Sequence, residues 1–506
     1  MSAMETQPSF SDAPAGHPAD RLDAAFALGV QCMQDGDRDG AIAAFRAALA
    51  LAPQLVAAHL NLGLLLEREH PDQAEAHLRA AVAADPFAAV AAQHLGAMLA
   101  AQKRFAEAEQ IYRAALALEP AAPALLSNLG VLLACTGRAA QAMACYRAAL
   151  AAAPDFASAH FNIAYLLLRD GDYAGGWHAL EHRAWYARLA GYFAFPRWQG
   201  ESLHGKRLLI GVEAGHGDMI QFCRYAPLAK QAGAEQVGIV CHGGLKRLFA
   251  GAAGIDVVFG LEDALPGTGW DYWVPPLSMP GLFGTRLDNI PASLPYLHPG
   301  SANAAVHKCK AALDGDSDRA LDALSASAPA MRPLRVGLAW QGNPLFENDG
   351  DRSLSSLAIL APLAHVAGVE WFSLQKGAGE LGRVDPPADT HPGPRRHRFP
   401  GTPAAFITDL APCIGDFADT AALIGTLDLV IAVDTAVAHL SGALGRPCWV
   451  LLPAFKPDWR WLKDREDSPW YPGVMRLFRQ QEAGNWDGVV AALQLALRAM
   501  VAERRR

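Results

Sequence analysis

Asp218 ends the segment Glu213-Ala214-Gly215-His216-Gly217-Asp218, which follows the apolar run Arg207 to Val212. A carboxylate at such a corner has two readings. It can cap the helix that begins there by accepting a backbone N–H. It can also act as a general base, because an acceptor hydroxyl is a poor nucleophile until a carboxylate or imidazole takes its proton. A second corner, Asp434-Thr435, follows the apolar run Leu427 to Val433 and precedes Ala436-Val437-Ala438-His439-Leu440. Asp and Thr start helices, while Gly445 and Pro447 stop this one before the apolar run Cys448 to Leu452. Strand, corner, helix and strand in that order form an anion trap. Unpaired N–H groups and the positive end of the helix dipole converge where a diphosphate can sit.

Other side chains fall at matching places. The run Leu334 to Trp340 is followed by Gln341-Gly342-Asn343-Pro344 and then Arg352; Glu370 to Gln375 is followed by Lys376. Arg352 and Lys376 suit phosphate contact, and each also reads as an ordinary surface cation. His439 lies four residues past Thr435 on the same helical face, so it either reaches the bound ligand or packs. Asn343, Arg352, Lys376, Asp434, Thr435 and His439 make up the candidate donor-binding set, and Asp218 is the candidate catalytic residue. The segment Asp458-Trp459-Arg460-Trp461 and the later Trp470-Tyr471 place aromatic faces near the same strand ends. Such rings stack on a sugar or base, or wedge two domains together.

Asp-x-Asp, a common metal-holding pattern, occurs six times: at Asp35, Asp37, Asp170, Asp314, Asp316 and Asp349. Gly in the middle of four of these marks turns. No metal or cofactor is expected. A net charge of -8 over 506 residues, with no domain carrying a dense basic stripe apart from the terminal Arg504-Arg505-Arg506, argues against nucleic acid as a partner. Every long apolar stretch is interrupted before the roughly 20 residues a membrane span needs. Eight cysteines without a Cys-x-x-Cys pair read as buried thiols of a reducing compartment, and no secretory signal is visible, so a cytoplasmic location is expected.

The elements that position these residues follow a repeat array. Pro53, Pro86, Pro120 and Pro154 stand 33, 34 and 34 residues apart. Before them, at fixed offsets, come Ala41, Phe45 and Ala48; Ala74, Leu78 and Ala81; Ala108, Tyr112 and Ala115; and Ala142, Tyr146 and Ala149. Leu28-Gly29, Leu62-Gly63, Leu95-Gly96 and Leu129-Gly130 mark the first helix of each copy. Small residues let two helices approach and the large one fills between them. The pattern resembles the tetratricopeptide repeat, and a fifth, degraded copy running from Phe161 to Trp185 reads as a cap. Such an array implies an extended protein partner on its concave face. Asn61, His94, Asn128 and Asn162 share one repeat position and form the candidate peptide groove. They resemble the asparagine ladder of the O-GlcNAc transferase superhelix, and asparagine there also serves helix packing.

From Phe195 the chain turns to short β runs separated by helical stretches, twice over, which predicts two α/β halves facing a cleft. The expected organisation is a disordered segment 1–20, repeats over 21–190, an acceptor-side Rossmann-like domain at 195–325 and a nucleotide-sugar-binding Rossmann-like domain at 330–502. Ala304 to Pro333 bridges the last two. Gly217-Asp218 and Asp434-Thr435-Ala436-Val437-Ala438-His439-Leu440 resemble motifs of the bacterial heptosyltransferase group, glycosyltransferase family 9. The whole chain from about residue 24 is similar to bacterial tetratricopeptide-containing glycosyltransferases. That resemblance implies a GT-B fold behind the solenoid, a nucleotide-sugar donor, inversion without metal, and Asp218 as base. Because heptosyltransferases resemble only the latter part of the chain, a protein acceptor fits the repeats better than lipopolysaccharide core. The rival expectation is an interaction scaffold whose transferase-like part has lost turnover.

Overall fold

The computed structural model describes residues 17–183, 190–265, 267–300, 303, 304, 306, 307, 309, 332–377, 379–381, 394–402 and 405–506. The end of the fifth repeat copy at Trp185, most of the bridge from Ala304 to Pro333 and the expected disorder of residues 1–16 lie outside the described residues. Residues 18–20 are helical, so the array begins earlier than expected. Two compact units divide the chain, Met1–Asn162 and Ile163–Arg506.

The first unit is a stack of helical hairpins: α1 Pro18–Asp35 with α2 Arg38–Leu51, α3 Val56–Leu66 with α4 Pro71–Ala84, α5 Ala89–Ala101 with α6 Phe105–Leu118, and α7 Pro123–Cys135 with α8 Ala139–Ala152. In each hairpin the glycine of the first helix receives the large residue of the second. A Cβ built at Gly29, Gly63, Gly96 or Gly130 would stand 2.6, 2.6, 2.3 and 2.3 Å from the side chains of Phe45, Leu78, Tyr112 and Tyr146. Ala41, Ala74, Ala108 and Ala142 are wholly buried, and Pro53, Pro86 and Pro120 lie in the turns between hairpins. Gly96→Ala is expected to cost about 1–3 kcal/mol, the usual price of overpacking. The Tyr112 ring it would meet is 2% exposed and cannot swing aside, and a lowered midpoint in urea denaturation would check this. Two of the Asp-x-Asp matches are interhelix turns here. Gly36 ends α1 at φ 78, and the Asp37 carboxylate accepts from the Gly40 N–H to start α2.

The second unit begins within α9, Ala157–Arg169, and continues through α10, Tyr173–Leu180. Residues 163–183 thus belong with the sheets that follow. Trp177 Nε1 donates to the Thr285 carbonyl, and Trp470 Nε1 donates to the Tyr173 hydroxyl.

The first sheet holds β1 Arg207–Ile210, β2 Gln236–Cys241, β3 Val257–Gly260 and β4 Tyr272–Val274, all parallel in the order β3-β2-β1-β4. The second holds β5 Leu334–Ala339, β6 Val369–Ser373, β7 Arg395–Arg398, β8 Phe406–Asp409, β9 Leu429–Val433, β10 Cys448–Leu452 and β11 Met475–Arg479 in the order β11-β10-β9-β5-β6-β8-β7. Among the described strands β7 and β8 pair antiparallel, and the other neighbours pair parallel. Strands buried on both faces read from sequence as apolar runs, and β1, β5, β9 and β10 are of that kind. Sequence alone missed β7, β8 and β11: the edge strands β7 and β11 tolerate charge, with Arg396, Arg398 and Arg476 exposed, and β8 is a four-residue strand with no apolar run.

Each sheet reverses its winding once. From β1 the chain adds β2 and β3 on one side and β4 on the other; from β5 it adds β6 and β8 on one side and β9, β10 and β11 on the other. Crevices open at the carboxyl ends of strands where the order reverses. Those ends lead into the Glu213–Asp218 segment after β1 and into Gln341-Gly342 and Asp434-Thr435 after β5 and β9.

One expectation is corrected. Cys309 and Cys413 form a disulfide across 104 residues, whereas Cys32, Cys135, Cys145, Cys223, Cys241 and Cys448 stay outside disulfides, and the first three of these are only half-buried. Linear spacing holds no trace of a pair joined only by the path of the chain.

Candidate functional site

The corner after β1 is built by backbone geometry. Ala214 adopts a left-handed φ of 59, and Gly215 precedes the helix His216–Phe222. The Asp218 carboxylate turns back to accept from the Gly215 N–H at 2.9 Å, so the capping role holds. Its other oxygen accepts from Arg460 Nη2. Gly217 is required at close quarters, because a Cβ there would lie 2.8 Å from His439 Cδ2 and 3.5 Å from Ala436 Cα. The Gly-Asp pair therefore lets the helix after β1 touch the helix Ala436–Ala443 after β9.

Arg460 lies on the turn Trp459–Trp461 that follows β10, and it is 6% exposed. Its Nη1 donates to Asp458 Oδ2 at 2.8 Å while Nη2 donates to Asp218. The Arg460 Nε and the Thr435 hydroxyl are buried polar atoms with no protein partner. Unpaired buried donors are costly, and these two lie beside Asp218 and Asp434. Burial pushes the Asp218 carboxyl above its usual value, with Asp458 and Glu213 adding to the rise and Arg460 and the Gly215 N–H opposing it. Asp434 is pushed up to about 6 by burial and by Asp458, against the pull of Trp461, Arg352 and Arg460.

The expected residues divide into two groups. Arg352 acts on both Asp434 and His439, Arg460 acts on these two and on Asp218, and Thr435 adjoins Asp434 in the chain. Arg352 Nε also donates to Asp349 at 3.1 Å. Asn343 is exposed and spends its side-chain oxygen on the Leu345 N–H, a local turn. Lys376 Nζ donates to the Ala411 carbonyl at 3.0 Å and lies 3.8 Å from Glu380. No contact joins either of these two to Asp434 or Thr435 among the described residues.

His439 is a packed, neutral imidazole. It is 5% exposed, stacks on Trp461 at 5.3 Å, and has Nδ1 2.9 Å from the Tyr471 hydroxyl. Burial, then Arg460, Arg224 and Arg352, hold its pKa well below the usual value. The aromatic loop wedges rather than stacks on a ligand, since Trp459, Trp461 and Trp470 are at most 1% exposed. Trp459 meets Trp177 edge-on at 5.3 Å. Glu213 is committed to a buried double ion pair with Arg183. Arg460 and Asp458 were the residues that sequence reading passed over. They were visible only as charges inside a segment noticed for its tryptophans.

In the first unit, Asn162 Nδ2 donates to Ser127 Oγ at 3.0 Å, and Asn128 hydrogen-bonds the Tyr112 hydroxyl. Asn61 and His94 are half-buried at the same position of α3 and α5. Among the described residues, no group of three or more His, Cys, Asp or Glu is arranged to hold a metal ion, and no helix is long and apolar enough to cross a membrane.

The tetratricopeptide repeat family matches residues 26–69, 64–124 and 99–160. The N-terminal region is thus a tetratricopeptide solenoid, followed by a region of sheets with helices. Over 374 residues the chain is 28% identical to Protein FlbA of Caulobacter vibrioides, a match taking in 68% of this chain and 55% of that protein. The chain thus spans little more than half the length of that relative. Three solved structures resemble about a third of the chain. Pseudomonas aeruginosa PilF is 26% identical and covers 33% of this chain and 78% of its own, with a TM-score of 0.30. A crystal structure of MamA protein is 24% identical over 34% and 96%, TM-score 0.30. PilW, a type IV pilus biogenesis factor, is 23% identical over 33% and 78%, TM-score 0.30.

Proposed function

We propose that the chain is an inverting glycosyltransferase of GT-B architecture, similar in its latter part to family 9, that moves a sugar from a nucleotide-sugar to a hydroxyl of a protein recruited by the repeats. The observation that carries this reading is the meeting of Asp218, from the first α/β half, with Arg460, from the second, beside the Asp434-Thr435 corner. Asp218 takes the acceptor proton as the hydroxyl oxygen bonds to the anomeric carbon and the bond to the diphosphate oxygen breaks. The first N–H groups of the helix Ala436–Ala443, the Thr435 hydroxyl, Arg352 and Arg460 stabilise the charge that develops on the leaving diphosphate. These groups supply the positive potential, so the reading assigns no metal.

A second reading draws on the same contact. Both Asp218 oxygens are engaged, one by Arg460 and one by the Gly215 N–H, as suits a scaffold whose transferase-like part no longer turns over. Incubating the purified chain with a panel of nucleotide sugars and following nucleoside diphosphate release separates the two. Failure of every donor to bind would favour the scaffold.

Proton binding at Asp434 gives a separate check. With its pKa pushed up to about 6, the carboxyl is neutral below that pH and stops repelling a diphosphate. Nucleoside diphosphate affinity is expected to rise by about threefold to tenfold from about pH 7.5 to about pH 5.5. Asp434→Asn should flatten that dependence, leaving only the phosphate's own titration. Isothermal titration calorimetry with UDP, GDP, CDP and dTDP reads both curves.

A further inference from the structure

Asp218 ends a chain of hydrogen bonds that begins on the first helix of the fifth repeat copy. The Tyr165 hydroxyl donates to Asp458 Oδ2 at 3.3 Å, the same oxygen accepts from Arg460 Nη1 at 2.8 Å, and Arg460 Nη2 reaches Asp218. Asp458 Oδ1 accepts from the Arg460 backbone N–H at 2.9 Å, which fixes the carboxylate at the start of its turn. We infer that Tyr165 is a positioning residue for the base, acting through Asp458 and Arg460 on the place and proton affinity of Asp218. This rests on the reading of Asp218 as the base.

The hydroxyl is not part of the repeat pattern. Leu64, Ala97 and Val131 hold the equivalent position in the preceding three copies. Only the fifth copy replaces an apolar side chain with a phenol, and α9 carries that phenol into the second unit. The charged groups around Asp218 are Arg460 and Asp458 from the turn after β10 and Glu213 from its own segment, with the Gly215 N–H beside them. Asp218, Asp458 and Arg460 all act in turn on Tyr165. Within this set Arg460 is shared between two carboxylates, and whatever satisfies one releases the cation to the other. The Tyr165 hydroxyl satisfies Asp458 and so leaves Arg460 to Asp218. Removing it makes Asp458 draw Arg460 away, and Asp218 then holds its proton more tightly. Neutralising Asp458 does the reverse.

Opposite shifts are therefore expected from two conservative variants of the full chain. With aspartate labelled at its carboxyl carbon, the Asp218 resonance is assigned by its loss in Asp218→Asn and titrated by NMR. Tyr165→Phe moves the Asp218 titration up by about half a unit or more, and Asp458→Asn moves it down by a similar amount. Wild-type melting temperature in Tyr165→Phe serves as the folding control. In turnover, Tyr165→Phe moves the acid limb of kcat/KM to higher pH with the donor KM unchanged. An Asp218 titration that stays put in both variants, or moves the same way in both, overturns the inference. The NMR result needs no turnover: shifts of opposite sign without nucleoside diphosphate release by the wild type would uphold the relay and remove the transferase reading instead.

Discussion

Asp218→Asn is expected to lower sugar transfer by about 10²–10⁴-fold, the range that a positioned general base contributes, while nucleoside diphosphate binding stays within about threefold of wild type. Asparagine keeps the acceptor oxygen that the Gly215 N–H uses, so the start of the helix His216–Phe222 should survive. It cannot take up a proton. The substitution also removes one partner of Arg460, whose side chain is 7% exposed, so some stability is lost with the activity. Asp458 still pairs with that arginine and limits the loss. Measuring turnover and melting temperature together keeps the two effects apart. Full transfer by a folded Asp218→Asn variant would sink the base assignment.

Arg460→Met should have the next largest effect. Arg460 is the cation between Asp218 and Asp458 and acts on Asp434 as well. Removing it leaves carboxylates facing one another in a buried place, where breaking such a pair costs about 3–5 kcal/mol. Methionine keeps much of the side chain's length and apolar volume, so the loss reports charge, hydrogen bonding and the guanidinium's place over the Phe222 and Trp459 rings more than packing. Without Arg460 the pKa of Asp218 rises further, and the acid limb of the pH–rate profile moves up. Transfer should fall by about 10²-fold or more through the lost stabilisation of the leaving diphosphate. Arg460→Lys is expected to rescue little, since a single ammonium does not span two carboxylates as the planar fork does. Unchanged turnover in Arg460→Met would remove Arg460 from the mechanism and leave it a structural tie.

Much of the fold was legible because its signals are local. The 34-residue period and the glycine facing each Phe45, Leu78, Tyr112 or Tyr146 are set by residues within one hairpin. The strands β5, β9 and β10 announce themselves as apolar runs because both of their faces are covered. The edge strands β7 and β11 escaped because a half-solvated strand can carry arginine. At the site, Asp218, Asp434 and Thr435 could be named because each follows the end of a buried strand. Asn343 and Lys376 were named by the same rule, yet their side chains turn to local partners, Leu345 and Ala411. Position after a strand brings a residue to the cleft edge; the loop's own hydrogen bonds decide where its side chain goes.

The sequence by itself determined the repeat array, the alternation of strand and helix in both later halves, and the two corners at Asp218 and Asp434, since these depend on periods of a few residues. Tertiary structure alone decided that Arg460 meets Asp218 across 242 residues, that Trp459 and Trp470 are walls rather than ligand platforms, and that Cys309 pairs with Cys413. Hydrophobic periodicity specifies which face of an element is buried. It carries no record of which distant side chain will lie against that face, because that depends on how the connecting segments are threaded and on which buried charges must be neutralised once water is excluded.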